Sequence, residues 1–68
     1  MKEQPKKSIR LWIARDKYGD LYGYINKPEK INAYYWEAEG ITIELPDDSF
    51  PSIKWEDNEP VRAYLRLV

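Results

Sequence analysis

Side chains able to bind charged or aromatic groups recur at alternate positions in three separate stretches of the chain. Alternate side chains of a β-strand point to the same face of its sheet. Arginines interleaved with aromatic rings are typical of surfaces that stack on nucleic-acid bases and contact phosphates, and of anchor residues at protein interfaces. We therefore predict one candidate contact face. Its residues are Arg10, Trp12, Tyr22, Tyr24, Arg62, Tyr64 and Arg66.

Catalytic and metal chemistry finds little support in the residues present. The 68 residues include neither histidine nor cysteine, which removes the commonest general base, the thiolate nucleophile and most zinc ligands. The acidic pairs, Asp47 with Asp48 and Asp57 with Glu59, lack the spacing of a calcium-binding loop and are typical of solvated turns. We expect no enzymatic activity, no metal site and no cofactor.

Alternation of aliphatic residues with other residues predicts β-strands in five segments. One of them, 31–38, is rich in aromatic residues but alternates poorly, so that a strand is favoured there and a short helix is the alternative. The aliphatic set of each strand is expected to face the core. The segments are 8–14, 21–25, 31–38, 41–45 and 61–68, and the aliphatic residues are Ile9, Leu11, Ile13, Leu21, Ile25, Ile41, Ile43, Leu45, Val61, Ala63, Leu65 and Leu67.

The connections between these segments indicate an all-β fold. Asp16 to Asp20 predicts a hairpin with a type I turn and a bulge at Gly19. Residues 46–60 form a long connection with at most one short helical turn, near 47–50. We predict a small antiparallel sheet or a partly closed barrel of four to five strands, an order of elements also compatible with an SH3-like barrel.

Two parts of the chain are expected to behave differently. Residues 1–7 are polar and interrupted by Pro5, which is typical of a solvated or disordered tail. Residues 8–68 are expected to form a single β domain, since a chain of this length supports only one core.

The predicted contact face has a competing structural interpretation. A thin domain needs both faces of its sheet, and large apolar residues in the connection 46–60 also require burial. Folding this connection across the aromatic face would satisfy both needs, and we favour that arrangement. An exposed face for protein contact and one for nucleic acid are the alternatives. The apolar residues in the connection are Phe50, Ile53 and Trp55.

Several short patterns follow one another along residues 11–68. They are Ala14-Arg15-Asp16-Lys17, Gly19, Leu21-Tyr22, Lys27-Pro28, Phe50-Pro51, Ile53, Trp55-Glu56 and Pro60. In this order the patterns resemble those of small uncharacterised proteins encoded in gut-bacterial genomes and their mobile elements or prophages. The resemblance implies a small cytoplasmic accessory domain. Because no activity is known for such proteins, it assigns no functional residue.

Charge is distributed unevenly along the chain. Residues 1–30 carry eight basic and four acidic side chains, and residues 31–68 carry three basic and eight acidic ones, for a net charge of −1. Opposite charges in the two halves would attract each other within one molecule or between two copies. A net negative charge disfavours a dedicated nucleic-acid-binding protein.

These observations predict a protein-interaction module in the cytoplasm. No stretch approaches the roughly 18 apolar residues of a membrane span, and residues 1–7 lack the apolar stretch of a signal peptide, so we expect no membrane association. The expected partner is a protein, including a second copy of this chain as a homodimer. The alternative is sequence-tolerant binding of single-stranded nucleic acid through the aromatic and arginine face.

Overall fold

The computed structural model describes residues 8–66, which form two antiparallel sheets and contain no helix. The larger sheet has the strand order β5-β2-β1-β6, and the smaller one pairs β3 with β4. The all-β prediction is confirmed, and the strands do not close into a barrel because β5 and β6 lie at opposite edges. The predictions for residues 1–7 and for Leu67 lie outside the described residues. The strands are β1 (Ser8–Arg15), β2 (Leu21–Tyr24), β3 (Glu29–Lys30), β4 (Trp36–Glu37), β5 (Thr42–Leu45) and β6 (Val61–Arg66).

The hairpin between β1 and β2 has the predicted turn. The backbone N–H of Gly19 donates to the carbonyl oxygen of Asp16 at 3.0 Å, and the N–H of Asp16 donates to the carbonyl oxygen of Asp20 at 2.8 Å. Gly19 has a φ of 101°, in the left-handed region that favours glycine. Together these features are those of a type I turn followed by a glycine bulge, so the prediction is confirmed.

One face of the large sheet carries the aliphatic core. Leu11, Ile13 and Leu21 are fully buried there, because β1 and β2 are the two central strands and alternation directs these side chains to the same side. Ile53, from the connection between β5 and β6, covers Ile13 and Leu21. Leu45 on β5 packs against the edge of this cluster.

Some of the predicted core residues are exposed instead. Ile41, which precedes β5, is 63% exposed, and Ile43 is also exposed, because β5 is an edge strand and Ile53 covers only the centre of the sheet. Ile9 is 36% exposed, since the first residues of β1 extend past β2 and pair only with β6. The core predictions for Ile25 and Val61 are also wrong, because both side chains are exposed. The prediction for the Leu65 side chain lies outside the described residues.

Arg15, the last residue of β1, anchors the connection that covers the aliphatic face. Its guanidinium donates five hydrogen bonds of 2.7 to 3.3 Å, all to backbone carbonyl oxygens. A charged donor strengthens each of these bonds relative to a neutral one. The connection itself consists of successive turns rather than a helix. This agrees with the prediction of at most one short helical turn near 47–50. The acceptors are the carbonyl oxygens of Gly19, Asp47, Ser49, Phe50 and Ile53.

The β3–β4 hairpin lies on the opposite, aromatic face of the large sheet. Trp36 of β4 is buried there against Ala14 and Tyr24, and Trp55 packs beside them. The ring centroids of Trp36 and Trp55 lie 6.4 Å apart in an edge-to-face arrangement. The indole Nε1–H of Trp36 donates to the carbonyl oxygen of Arg15 at 3.1 Å, which ties the hairpin to the end of β1.

Two predictions about covering segments need correction. Residues 46–60 do not cover the aromatic face as one unit, because Ile53 lies on the aliphatic face and only Trp55 reaches the aromatic one. Most of the cover comes from the β3–β4 hairpin. Segment 31–38 is not one strand, since a loop closed by a bond from the N–H of Ile31 to the carbonyl oxygen of Tyr35 at 3.0 Å precedes β4.

Candidate contact surface

The register of the large sheet places six of the seven predicted contact residues on one face. Trp12 of β1 lies opposite Tyr24 on β2 and opposite Arg62 on β6. Tyr22 lies opposite Ala14, and Arg10 lies opposite Tyr64. Directly opposed residues share a face, so the arrangement follows from alternation. Arg66 is the register partner of Ser8, and its side chain lies outside the described residues.

The β3–β4 hairpin divides this face into two halves. In the covered half, Tyr24 is only 2% exposed and Tyr22 is half-buried. The other half is open to solvent, with Tyr64 60% exposed. We name the open half the cation–aromatic patch. It consists of the exposed residues Arg10, Arg62 and Tyr64 and of Trp12, which is half-buried because it also packs against the covered cluster.

Cations and rings are already paired within the cation–aromatic patch. The guanidinium carbon of Arg62 lies 4.2 Å from the ring centroid of Trp12, and that of Arg10 lies 5.9 Å from the ring centroid of Tyr64. Lys27 adds its Nζ 5.6 Å from the Trp12 ring. An exposed cation–π contact contributes about 0.5 to 1 kcal/mol. These contacts restrict the side chains before any partner binds, which lowers the entropy lost on binding.

The guanidinium groups of the patch keep their hydrogen-bonding capacity. Among residues 8–66, neither Arg10 nor Arg62 donates a side-chain hydrogen bond or forms an ion pair. The ion pair found in this part of the chain joins Lys27 Nζ to Glu59 Oε1 at 3.4 Å, between two exposed side chains. Within the described residues, the guanidinium donors of the patch are therefore unused.

A groove of about 350 Å³ opens beside the covered half of the face. At its base lies Asp16, which is 5% exposed and whose Oδ1 accepts a hydrogen bond from the backbone N–H of Trp36 at 3.1 Å. Carboxylates and aromatic rings line the groove together. The lining includes Asp16, Asp20, Tyr22, Tyr24, Trp36 and Glu37.

The pKa values of three groups that line the groove are raised, in each case first by burial and then by neighbouring charged groups. Burial raises the pKa of the Asp16 carboxyl, the hydrogen bond from Trp36 opposes this, and the charge of Asp20 raises the pKa further. Burial also raises the pKa of Tyr22, and nearby carboxylates, beginning with Asp20, raise it further. The pKa of Tyr24 is raised by burial first and then by the charge of Asp16. Each shift disfavours an additional negative charge in the groove.

The open half of the aromatic face, its basic end, carries the guanidinium groups of Arg10 and Arg62, and the groove, its acidic end, is lined by the carboxylates of Asp16, Asp20 and Glu37. Lys30 also lies over the covered half, with Nζ 5.3 Å from the Trp36 ring centroid. The basic end combines Arg10 of the N-terminal half of the sequence with Arg62 of the C-terminal half. The acidic end combines Asp20 with Glu37, again from the two halves. The uneven charge of the sequence halves therefore does not correspond to two halves of the fold.

The residues that cover and border this face were not predicted as part of it. Trp36 closes the covered half, and Lys30 supports it with Nζ 4.1 Å from the Trp55 ring and 2.8 Å from the Trp55 carbonyl oxygen. Asn32 was the available signal, because its Oδ1 accepts hydrogen bonds from the backbone N–H groups of Tyr34 and Tyr35 at 2.7 and 3.0 Å. An asparagine in this position forms a turn of its own, which ends a strand.

The described part of the chain has neither a cluster of metal ligands nor a membrane-spanning helix. Across residues 8–66, no three acidic side chains are grouped so that they could hold a metal ion. The same residues contain no helix that could cross a membrane.

Comparison with known proteins gives no relative from which a function could be transferred. No protein-family model, no curated protein and no solved structure matches this chain.

Proposed function

We propose that this chain is a small protein-recognition module without catalytic activity and that the cation–aromatic patch is its contact surface. The observation that carries the proposal is the pairing of the exposed Arg62 with the half-buried Trp12 ring and of the exposed Arg10 with the exposed Tyr64 ring. Arg, Trp and Tyr are the residue types that contribute most of the binding energy at protein interfaces. We assign the module to the cytoplasm, as the sequence resemblance implies.

The chemistry of the patch favours an acidic partner. Guanidinium groups bind carboxylates with two parallel hydrogen bonds, and the donors of Arg10 and Arg62 are unused among residues 8–66. The neighbouring ring of Tyr64 offers apolar area to the same partner. A protein surface with carboxylates beside apolar side chains matches both properties.

Single-stranded nucleic acid is the second candidate, favoured by the exposure of Tyr64 beside Arg10. Base stacking requires a free ring face. The Trp12 ring is half-buried and already has Arg62 at 4.2 Å and Lys27 at 5.6 Å from its centroid. Less ring surface is therefore available for a base than for a protein partner that contacts the guanidinium groups.

Capture experiments test the protein-binding proposal. The tagged chain is compared with Arg62→Glu and with Lys54→Glu, an exposed position outside the patch. We expect the wild type and Lys54→Glu to capture the same protein, and Arg62→Glu to lose at least about 10-fold of it, because a reversed charge repels an acidic partner. Equal capture by all three chains contradicts the proposal.

A titration with single-stranded oligonucleotide tests the second candidate. The indole N–H signal of Trp12 is followed by NMR at low salt and again at high salt. Nucleic-acid binding predicts a shift of this signal that weakens steeply as salt rises. An unchanged signal at low salt eliminates the nucleic-acid candidate and leaves the protein-binding proposal intact.

A further inference from the structure

We infer that the partner is a second copy of this chain, and that each copy places its cation–aromatic patch against the acidic groove of the other across a two-fold axis. This inference rests on the proposed function and names the partner. The contact would form between the two ends of the aromatic face, which carry opposite charges in one molecule.

Charge complementarity is the first argument. A two-fold axis that lies between two facing sheets, perpendicular to the line joining the two ends of the face, exchanges these ends, so the basic end of each copy meets the acidic end of the other. Arg10 and Arg62 then approach Asp20 and Glu37, and each contact forms twice. Any other partner must either complement the charge of one end alone or carry the same pair of opposite charges.

The shape of the face is the second argument. The β3–β4 hairpin raises one half of the face above the sheet, whereas the other half is open. The same two-fold axis places the raised half of one copy over the open half of the other. Ile31 and Tyr35 are exposed on the raised half and Tyr64 on the open half, so apolar side chains meet as well as charges.

The buried carboxylate of Asp16 is the third argument. Within residues 8–66, no lysine or arginine nitrogen lies within 4.0 Å of its oxygen atoms. A buried carboxylate without a cation is costly to ionise. A guanidinium group arriving from a second copy would offset this cost at the base of the groove.

Sedimentation velocity with complementary charge reversals tests the dimer. We expect the wild type to change from monomer to dimer as its concentration rises from about 1 μM to about 1 mM, the range of weak complexes. Arg62→Glu alone and Asp20→Lys alone should each bind at least about 10-fold more weakly, because each places like charges together twice. An equimolar mixture of the two variants should regain the dimer, since both contacts become attractive again.

Lys54→Glu and Asp48→Lys form the matched control pair, because both positions are exposed and lie outside the patch and the groove. We expect each control variant to dimerise like the wild type, with no gain on mixing. Circular dichroism establishes that every variant is folded. If Arg62→Glu fails to fold, Arg10→Glu replaces it, with the same expected recovery on mixing with Asp20→Lys.

The outcomes separate this inference from the proposed function. A wild type that stays monomeric up to about 1 mM overturns the dimer, and capture of a different protein in an Arg62-dependent manner would still support the recognition module. A dimer that tolerates both single reversals, or a mixture that does not regain it, overturns the facing arrangement. Recovery on mixing, absent from the control pair, supports it.

Discussion

Arg15 and Arg62 lie on opposite faces of the same sheet and use the same side chain in opposite ways. Arg15 donates all five of its observed hydrogen bonds to backbone carbonyl oxygens of its own chain. Arg62 lies over the Trp12 ring, is exposed, and donates no hydrogen bond within residues 8–66. The first arginine holds a loop in place, and the second makes no such contact within the described residues.

This contrast shows why residue type alone does not identify a binding site. A guanidinium with every donor satisfied internally contributes to folding, since removing it leaves carbonyl oxygens without a partner. A guanidinium with unused donors contributes little to folding and offers them to another molecule. The position of each arginine relative to the loops decides between the two roles.

The largest expected effect is the loss of Arg15. We expect Arg15→Met to lower the free energy of unfolding by about 3 kcal/mol, because several carbonyl oxygens lose a charged donor at once. Arg62→Met should change it by less than about 1 kcal/mol, since only an exposed cation–π contact is lost. Urea denaturation followed by circular dichroism measures both.

Arg15→Lys serves as the control for charge. A lysine retains the positive charge but cannot reach five carbonyl oxygens with a fixed fork of donors. We expect most of the destabilisation to remain in this variant. Recovery of wild-type stability by lysine, or equal effects of Arg15→Met and Arg62→Met, would remove the distinction between the two arginines.

An intermediate effect is expected at Asp16, in the groove. Asp16→Ala should lower the free energy of unfolding by about 1 to 3 kcal/mol, because the buried N–H of Trp36 loses its acceptor. Asp16→Asn keeps an acceptor oxygen without the buried charge, and we expect it to be at least as stable as the wild type at neutral pH. Thermal and urea denaturation of the two variants measure the difference.

The pH dependence of this difference has a definite sign. Burial raises the pKa of Asp16 in the folded chain, so the folded state binds the proton more tightly than the unfolded state. The cost of the ionised carboxylate is therefore present in full above the raised pKa and declines as the pH falls through it. We expect the advantage of Asp16→Asn over the wild type to shrink on acidification from pH 7 toward about pH 4. An advantage that grows on acidification would contradict this assignment.

The smallest expected effect concerns Phe50, which presents one of the carbonyl oxygens bound by Arg15. Its φ of 50° lies in the left-handed region, which is costly for a residue with a side chain. We expect Phe50→Gly to be more stable than Phe50→Ala by about 1 kcal/mol, the reverse of the usual order. Parallel urea denaturation of the two variants tests this, and alanine above glycine would show that the strain is absent.

The strands and the shared face could be predicted because both depend on local alternation. Ile9, Leu11 and Ile13 indicated the phase of β1, and that phase places Arg10 and Trp12 on the opposite face whatever the strand order. The hairpin at Gly19 was also local, since a glycine at this position of a short loop favours one turn type.

The cover of the sheet could not be predicted from alternation. Trp36 is buried by contacts with Ala14 and Tyr24, more than ten residues away along the chain, and no spacing rule indicates which loop will reach which face. Alternation also does not indicate which strands will lie at the edges of the sheet. Ile41 has the composition of a core residue and is exposed because no segment covers that corner of the sheet.

The division of the connection 46–60 between two faces depends on Arg15. Its hydrogen bonds fix the first part of the connection over the aliphatic face, which leaves Trp55 to turn toward the aromatic face. A hydrogen bond between residues more than thirty positions apart leaves no pattern in the sequence around either partner. Half of the aromatic face stays open because the first part of this connection lies on the aliphatic face.

The pairing of β1 with β6 joins the first and last described strands of the chain. Ser8 and Arg66 are register partners, so their Cα atoms lie about 5 Å apart, within reach of a short engineered link. New termini could then be opened in the exposed turns between β5 and β6, and the order of strands in space would remain the same. A circularly permuted chain of this kind would form the β1–β6 hairpin locally and should fold faster than the natural order of elements.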